Sequence, residues 1–238
     1  MKLKCLNSGS SGNCYLLEKD DEILILDAGC SLKEVKKALN FDLSKIAGCF
    51  ISHEHLDHAK YRKDFEKSGI EIFAPYDKDV IRDNRQYGNF NLQAFRLPHG
   101  ETFSYGLLIR NKDETALYMT DFEYCPYVFK ACKVNHYLIE CNYQLQYVDF
   151  DAPNKEHKLR GHCSLETLKK FLETNKNYDM ENVILCHMGF GSTNPQECIS
   201  EVENIVGCNV IADYARPNTE YELTDKRLPF TGDLEEWD

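Results

Sequence analysis

Between Ser52 and His58 the chain reads Ser-His-Glu-His-Leu-Asp-His, which brings three imidazoles and the Asp57 carboxylate within six residues. Imidazole nitrogen and carboxylate oxygen are the donors that borderline divalent ions such as zinc select. The chain has eight histidines in all, so three in one short segment exceed what packing needs. In an extended segment His53 and His55, two apart, share a side and can reach one ion; on a helix they would diverge by about 200°. Residues 46–51, Ile-Ala-Gly-Cys-Phe-Ile, read as a buried strand. The cluster therefore falls just past a strand's carboxyl end, where open α/β sheets place their sites. Asp57 and His58 follow at once and can turn toward a second ion.

Three further candidates sit at strand ends. His99 follows Phe95-Arg96-Leu97-Pro98, Asp121 follows Ala116-Leu117-Tyr118-Met119-Thr120, and His187 follows Val183-Ile184-Leu185-Cys186. Each alone reads as a surface or capping residue. Their repeated position after an apolar run, together with the cluster, makes them candidate ligands.

Positioning these residues requires strands, and short apolar runs predict them over residues 14–18, 22–27, 47–51, 70–74, 93–97, 105–110, 115–120, 137–140, 183–186 and 209–212. The first two read as a hairpin. Ser31-x-x-Glu34 is a capping box that opens a helix. Ser164 caps another, whose Leu165, Leu168, Phe171 and Leu172 repeat at three- and four-residue spacing. Asn194-Pro195-x-Glu197 opens a third, with Pro at the first helical position. Strands interrupted by helices predict an α/β protein with helices on the outer faces of its sheets. No repeat or linker divides the chain, so one domain is expected over residues 1–223. Residues 224–238, acidic and carrying the only tryptophan, Trp237, read as a loosely docked tail.

The formal net charge is −11. A protein that binds nucleic acid by bulk counterion release is usually basic, so this chain must confine positive charge locally, borrow it from metal ions, or act on something small. No apolar run reaches the 18 residues of a membrane span, and the start Met1-Lys2-Leu3-Lys4 lacks a signal-peptide core; a cytoplasmic location is expected. The eleven cysteines are scattered without a C-x-x-C pair, which favours small buried residues in a reducing compartment.

The order H-x-H-x-D-H, followed by His, Asp and His at later strand ends, resembles the metallo-β-lactamase superfamily. That resemblance implies an αββα four-layer sandwich and a dinuclear metal centre, with zinc as the first choice of ion and manganese as the second. His53, His55 and His99 would hold one ion, Asp57, His58 and His187 the other, and Asp121 would bridge them. Asp27 matches an early aspartate that supports the loop without binding metal, as fixed ring orientation requires.

Spacing narrows the branch. From Asp121 to His162 is 41 residues, too few for the inserted domain of β-CASP nucleases. The bridging position is not a cysteine, against a secreted antibiotic hydrolase, and little chain follows His187 for the helical domain of glyoxalase II. Gly161-His162-Cys163-Ser164 resembles the phosphodiesterase branch, where a non-ligand histidine before a helix assists the phosphate. Ser8-Gly9-Ser10-Ser11-Gly12-Asn13-Cys14-Tyr15-Leu16 and Glu140-Cys141-Asn142 resemble YycJ/WalJ-type proteins. This implies hydrolysis of phosphodiesters in DNA, exonuclease-like.

Two ions in such a centre share a water, lower its pKa and neutralise charge on phosphorus. Asp57 is expected in that machinery, and His162 as the residue that protonates the leaving oxygen or donates to the phosphate. Lys155, Lys158 and Arg160 lie just upstream and are expected to grip a flanking phosphate, Arg160 through two parallel hydrogen bonds. Ser10, Ser11 and Asn13, in a Gly-rich hairpin loop, are candidate substrate contacts, and Tyr143 and Asn194 candidates for the cleft wall. Two rivals stand beside the DNA nuclease: a hydrolase of small cyclic nucleotides, which the acidic composition favours, and a metal-bound scaffold without hydrolysis.

Overall fold

The computed structural model describes residues 1–153 and 155–223; the predicted tail, with Trp237, lies outside them. Thirteen strands form two sheets among the described residues. The first runs β13 (Thr219–Glu222), β1 (Lys2–Asn7), β2 (Cys14–Lys19), β3 (Glu22–Leu26), β4 (Ile46–Phe50), β5 (Ile72–Phe73). The second runs β12 (Ile211–Tyr214), β11 (Asn182–Cys186), β10 (His136–Glu140), β9 (Thr115–Met119), β8 (Thr102–Arg110), β7 (Phe90–His99), β6 (Arg82–Tyr87). The expected hairpin is β2–β3, antiparallel with Tyr15 opposite Leu26. Its turn residues Asp20 and Asp21 both take positive φ, 53° and 63°, matching the twist of the strands they join.

Alternation along the strands makes three apolar layers. Leu17, Leu24, Leu26 and Phe50 of the first sheet meet Leu92, Leu107, Ile109 and Tyr118 of the second in the central core. Outside the first sheet, Ile23, Ile25 and Cys49 pack on Val35 of α1 (Leu32–Ala38) and Phe65 of α3 (Arg62–Lys67). Outside the second, Leu117, Ile139 and Val183 pack on Leu168 and Leu172 of α5 (Leu165–Asn175) and Val202 of α6 (Pro195–Val206). The order helix, sheet, sheet, helix is the αββα sandwich.

All three expected caps form. Ser31 and Glu34 close a reciprocal capping box, the Ser164 hydroxyl accepts from the Thr167 N–H, and the Asn194 side chain accepts from the Gln196 and Glu197 N–H groups. Strands β1, β6 and β13 escape the sequence reading, as do α2 (Leu56–Ala59), α3 and α4 (Lys155–Gly161). The strand expected at 209–212 lies two residues later, and that at 70–74 shrinks to two residues. Eight of the eleven cysteines are buried and none is disulfide-bonded. Burial pushes the thiols of Cys5, in the core, and of the partly buried Cys125 up to about 12, which keeps them as unreactive thiols.

Candidate active site

The carboxyl ends of β3, β4, β7, β9, β10 and β11 converge on one edge of the sandwich. At three of them the chain turns sharply in the left-handed region: Asp27 (φ 64°), Asp121 (φ 51°) and His187 (φ 48°) follow directly on the strands or one residue later. Non-glycine residues rarely adopt this conformation, and strain of this kind concentrates at functional sites. Gly29 has a different reason: a Cβ there would stand 1.9 Å from the Asp57 carbonyl oxygen and 2.4 Å from the Asn13 nitrogen. Only glycine lets the loop after β3 pass between the hairpin loop and α2. Backbone hydrogen bonds Asn13 N–H to Asp57 O, 2.7 Å, and Ala28 N–H to His58 O, 2.7 Å, pin the three segments together.

On this frame the expected ligands form two donor groups. His53 Nε2 and His55 Nδ1 lie 2.9 Å apart, and His99 Nε2 lies 3.3 Å from His55 Nδ1. The second group joins Asp57 Oδ2 to His58 Nε2 at 3.3 Å and to His187 Nε2 at 3.4 Å. Asp121 stands between: Oδ2 is 3.6 Å from His53 Nε2, and Oδ1 is 3.4 Å from His58 Nε2.

Outer hydrogen bonds decide which nitrogens point inward as lone pairs. His58 Nδ1–H donates to Asp27 at 2.7 Å, His99 Nδ1–H to the Gly161 carbonyl, and His187 Nδ1–H to Glu140 at 3.1 Å. Their Nε2 atoms then face the donor groups as acceptors. Nitrogens and carboxylates brought this close without protons between them repel, and a divalent cation is what unites them. The donor chemistry thus fits two ions. The electrostatics agree: burial opposes charge on His58 and His187, yet Asp121 and the neighbouring carboxylates hold His58 well above the usual histidine range and push His187 up to about 10. The second group favours positive charge, which a divalent ion would supply in place of those protons. His53, buried beside other imidazoles, is driven the opposite way.

Glu140, at the end of β10, escaped the sequence reading as a site residue. Fully buried, it accepts from His162 Nδ1 at 2.8 Å, from His187 Nδ1, and from the Phe122 and Cys163 backbone N–H groups. Burial works against its charge, but His162 and His187 hold it below the usual carboxylate range. His162 stacks on His187, ring centres 5.3 Å apart. Although burial disfavours a charged His162, Glu140 and Asp121 raise its pKa. One signal was available: a lone carboxylate closing the apolar run Tyr137-Leu138-Ile139.

The expected substrate contacts divide. Ser10 and Ser11 are exposed on the hairpin loop. Asn13 corrects the expectation: it is fully buried, its Oδ1 accepts from the Gly9 N–H and its Nδ2 lies 3.0 Å from His58 Nε2. Its amide nitrogen points at the second donor group, also 3.5 Å from Asp57 Oδ2, and the residue is absent from the cleft lining beside His55 and His99. Arg160 is exposed and lines a cleft of about 430 Å³ that opens onto His55 and His99. Lys158 is half-buried and absent from that lining; Lys155 donates to the Phe150 carbonyl. Tyr143 is buried and Asn194 caps α6, so both serve the frame.

The Metallo-beta-lactamase superfamily model matches residues 8–60, which hold the hairpin loop, Asp27 and the His53–His58 cluster. Exodeoxyribonuclease YycJ of Bacillus anthracis is 26% identical over 106 residues, covering 43% of this chain and 37% of that protein. Exodeoxyribonuclease WalJ of Streptococcus pneumoniae serotype 2 is 25% identical over 171 residues, 61% of this chain and 64% of that protein. The chain thus spans less than two thirds of either curated relative it matches. Among solved structures, the metallo-β-lactamase fold protein YhfI from Bacillus subtilis superposes with TM-score 0.69 at 16% identity, over 92% of this chain and 98% of that one. No helix of the described residues is long and apolar enough to cross a membrane. The matched segment, residues 8–60, holds the His53–His58 loop, and the superposition over 92% of the chain shows that the sandwich carrying it has the metallo-β-lactamase fold.

Proposed function

We propose that the chain is a dinuclear metal-dependent phosphodiester hydrolase, with zinc the first candidate ion and manganese the second, and that it cleaves DNA from an end. His53, His55 and His99 would hold one ion and Asp57, His58 and His187 the other, with Asp121 available to both. The observation that carries this reading is the shared carboxylate: one oxygen of Asp121 faces each donor group. The names of the two curated relatives, both exodeoxyribonucleases, support the substrate.

When bound, the ions supply an activated water and positive charge for the phosphate. The chain's own residues do the rest. Glu140 accepts the His162 Nδ1 proton at 2.8 Å, which directs the opposite ring nitrogen toward the reacting group. A raised His162 pKa keeps a proton available for the leaving oxygen. Within the proposed ligand set, Asp57 and Asp121 would bring two negative charges against two dications, which leaves positive charge at the ions for an anionic diester.

His162→Ala should lower kcat on bis(p-nitrophenyl) phosphate by roughly 10²–10⁴-fold, the usual worth of a positioned general acid, with metal content unchanged. Unaltered kcat would remove His162 from the mechanism. The net charge of −11 favours a second reading, hydrolysis of small cyclic nucleotides. One preparation assayed on DNA, RNA and 3′,5′-cyclic nucleotides decides: turnover confined to the cyclic substrates would reject the nuclease.

A further inference from the structure

We propose that the cleft beside His55 and His99 receives the terminal nucleotide of a strand, and that Glu101 and Glu156 form an electrostatic stop that keeps a continuing strand out. This rests on the phosphodiesterase reading above. The cleft's volume, about 430 Å³, lies in the range of pockets for one small ligand. One wall is the turn after β7, where Gly100 takes φ +60° to let the chain reverse. The other wall is α4. The Gly100 N–H donates to the Arg160 carbonyl at 2.9 Å, and His99 Nδ1–H to the Gly161 carbonyl. The two walls are thus tied to each other and to a candidate ligand, and the cleft is a fixed continuation of the metal centre.

Its charges are arranged unusually for a surface that tracks a polynucleotide. Among the described residues Arg160 is the only Lys or Arg of the lining, beside two exposed carboxylates, Glu101 and Glu156. Among the described residues, none of the three makes an ion pair within 4 Å. The Arg160 guanidinium offers donors to one phosphate. A strand running on through the cleft brings a further phosphate with every nucleotide, and nothing in the lining neutralises it. It meets Glu101 and Glu156 instead, and like charges placed opposite one another select against that occupant. A terminal nucleoside presents a hydroxyl at the same place. Carboxylates accept hydrogen bonds from hydroxyls, as acidic residues do from ribose in dinucleotide-binding folds. The lining therefore favours a hydroxyl-bearing end over an internal segment and over an end that carries a phosphate.

The test uses metal-loaded full chain and three substrates: a linear single-stranded oligodeoxynucleotide with hydroxyl ends, the same sequence closed into a circle, and bis(p-nitrophenyl) phosphate. The wild type should cut the linear strand at least about a hundredfold faster than the circle. In Glu101→Gln/Glu156→Gln that ratio should fall at least about tenfold, the scale of removing like-charge repulsion. Glu101→Gln alone should give an intermediate ratio. Equal cutting of circle and linear strand by the wild type, or a ratio unmoved in the double variant, would overturn the end stop. Cleavage of bis(p-nitrophenyl) phosphate without cleavage of the linear strand would overturn it too, while leaving the phosphodiesterase standing. Failure on all three substrates would remove both.

Discussion

Asp27 binds no ion in the proposed centre, yet it holds much of it in place. Its carboxylate accepts from the Ser52 N–H (2.7 Å), the Ser52 hydroxyl (3.1 Å), His58 Nδ1 (2.7 Å) and the Tyr118 hydroxyl (2.5 Å). Ser52 precedes His53, so one buried residue sets the ligand loop of the first group and the ring orientation of the second. Asp27→Asn would offer an amide donor where four donors already converge. Zinc affinity of the second group should fall about 10–100-fold, the usual effect of losing a residue that orients a ligand, as measured by competition with a chelator; unchanged affinity would contradict the role. The clustering of the candidate ligands was legible in the sequence because His and Asp at strand ends are chemically conspicuous. Glu140 was not, because a carboxylate ending an apolar strand reads as a cap until its partners are known. Asn13 was misread for the opposite reason: a polar residue in a Gly-rich loop suggests exposure, and burial against His58 arises only through tertiary contact.

The elements that carry these residues were readable where one face is apolar. Helix α5 is the clearest case, with Leu168 fully buried against the second sheet. Leu168→Ala should cost about 2–5 kcal/mol in denaturant unfolding, since transfer and cavity terms add. Metal stoichiometry should hold, because Leu168 packs in the apolar layer outside the second sheet and not among the candidate ligands. Loss of metal without loss of stability would show that α5 positions the centre directly. Strand β6 is the converse. Its sequence Arg-Asp-Asn-Arg-Gln-Tyr has no apolar alternation, because it is an edge strand whose exposed charges discourage pairing with another chain. Helices α2 and α4 are too short for helical periodicity to emerge, and tertiary packing fixes them.

At the scale of the molecule, charge and topology separate two ends of the sandwich. The strand order and the packing of sheet on sheet were not readable, since pairing partners far apart in sequence leave no local trace. Opposite the metal edge, Lys19 of β2 pairs with Glu114 at 2.8 Å, and His136 of β10 lies 3.4 Å from it, tying the two sheets. Burial opposes the Glu114 charge, but His136 and Lys19 hold its pKa well below the usual range. Its stabilisation is therefore complete above the ordinary carboxylate pKa and is lost as pH falls toward the folded value. Glu114→Gln should be less stable than wild type at pH 7, and the gap should narrow on acidification below about pH 4.5; a gap independent of pH would contradict the pairing. The overall charge of −11 leaves anionic substrate to be attracted locally, by the proposed ions and Arg160. That dependence makes one measurement decisive: turnover of bis(p-nitrophenyl) phosphate by metal-free protein titrated with zinc or manganese, read together with bound metal per chain. The expected result is hydrolysis that rises until two ions are bound and is absent in Asp121→Ala. Protein that binds two ions and hydrolyses no phosphodiester would contradict the proposed function.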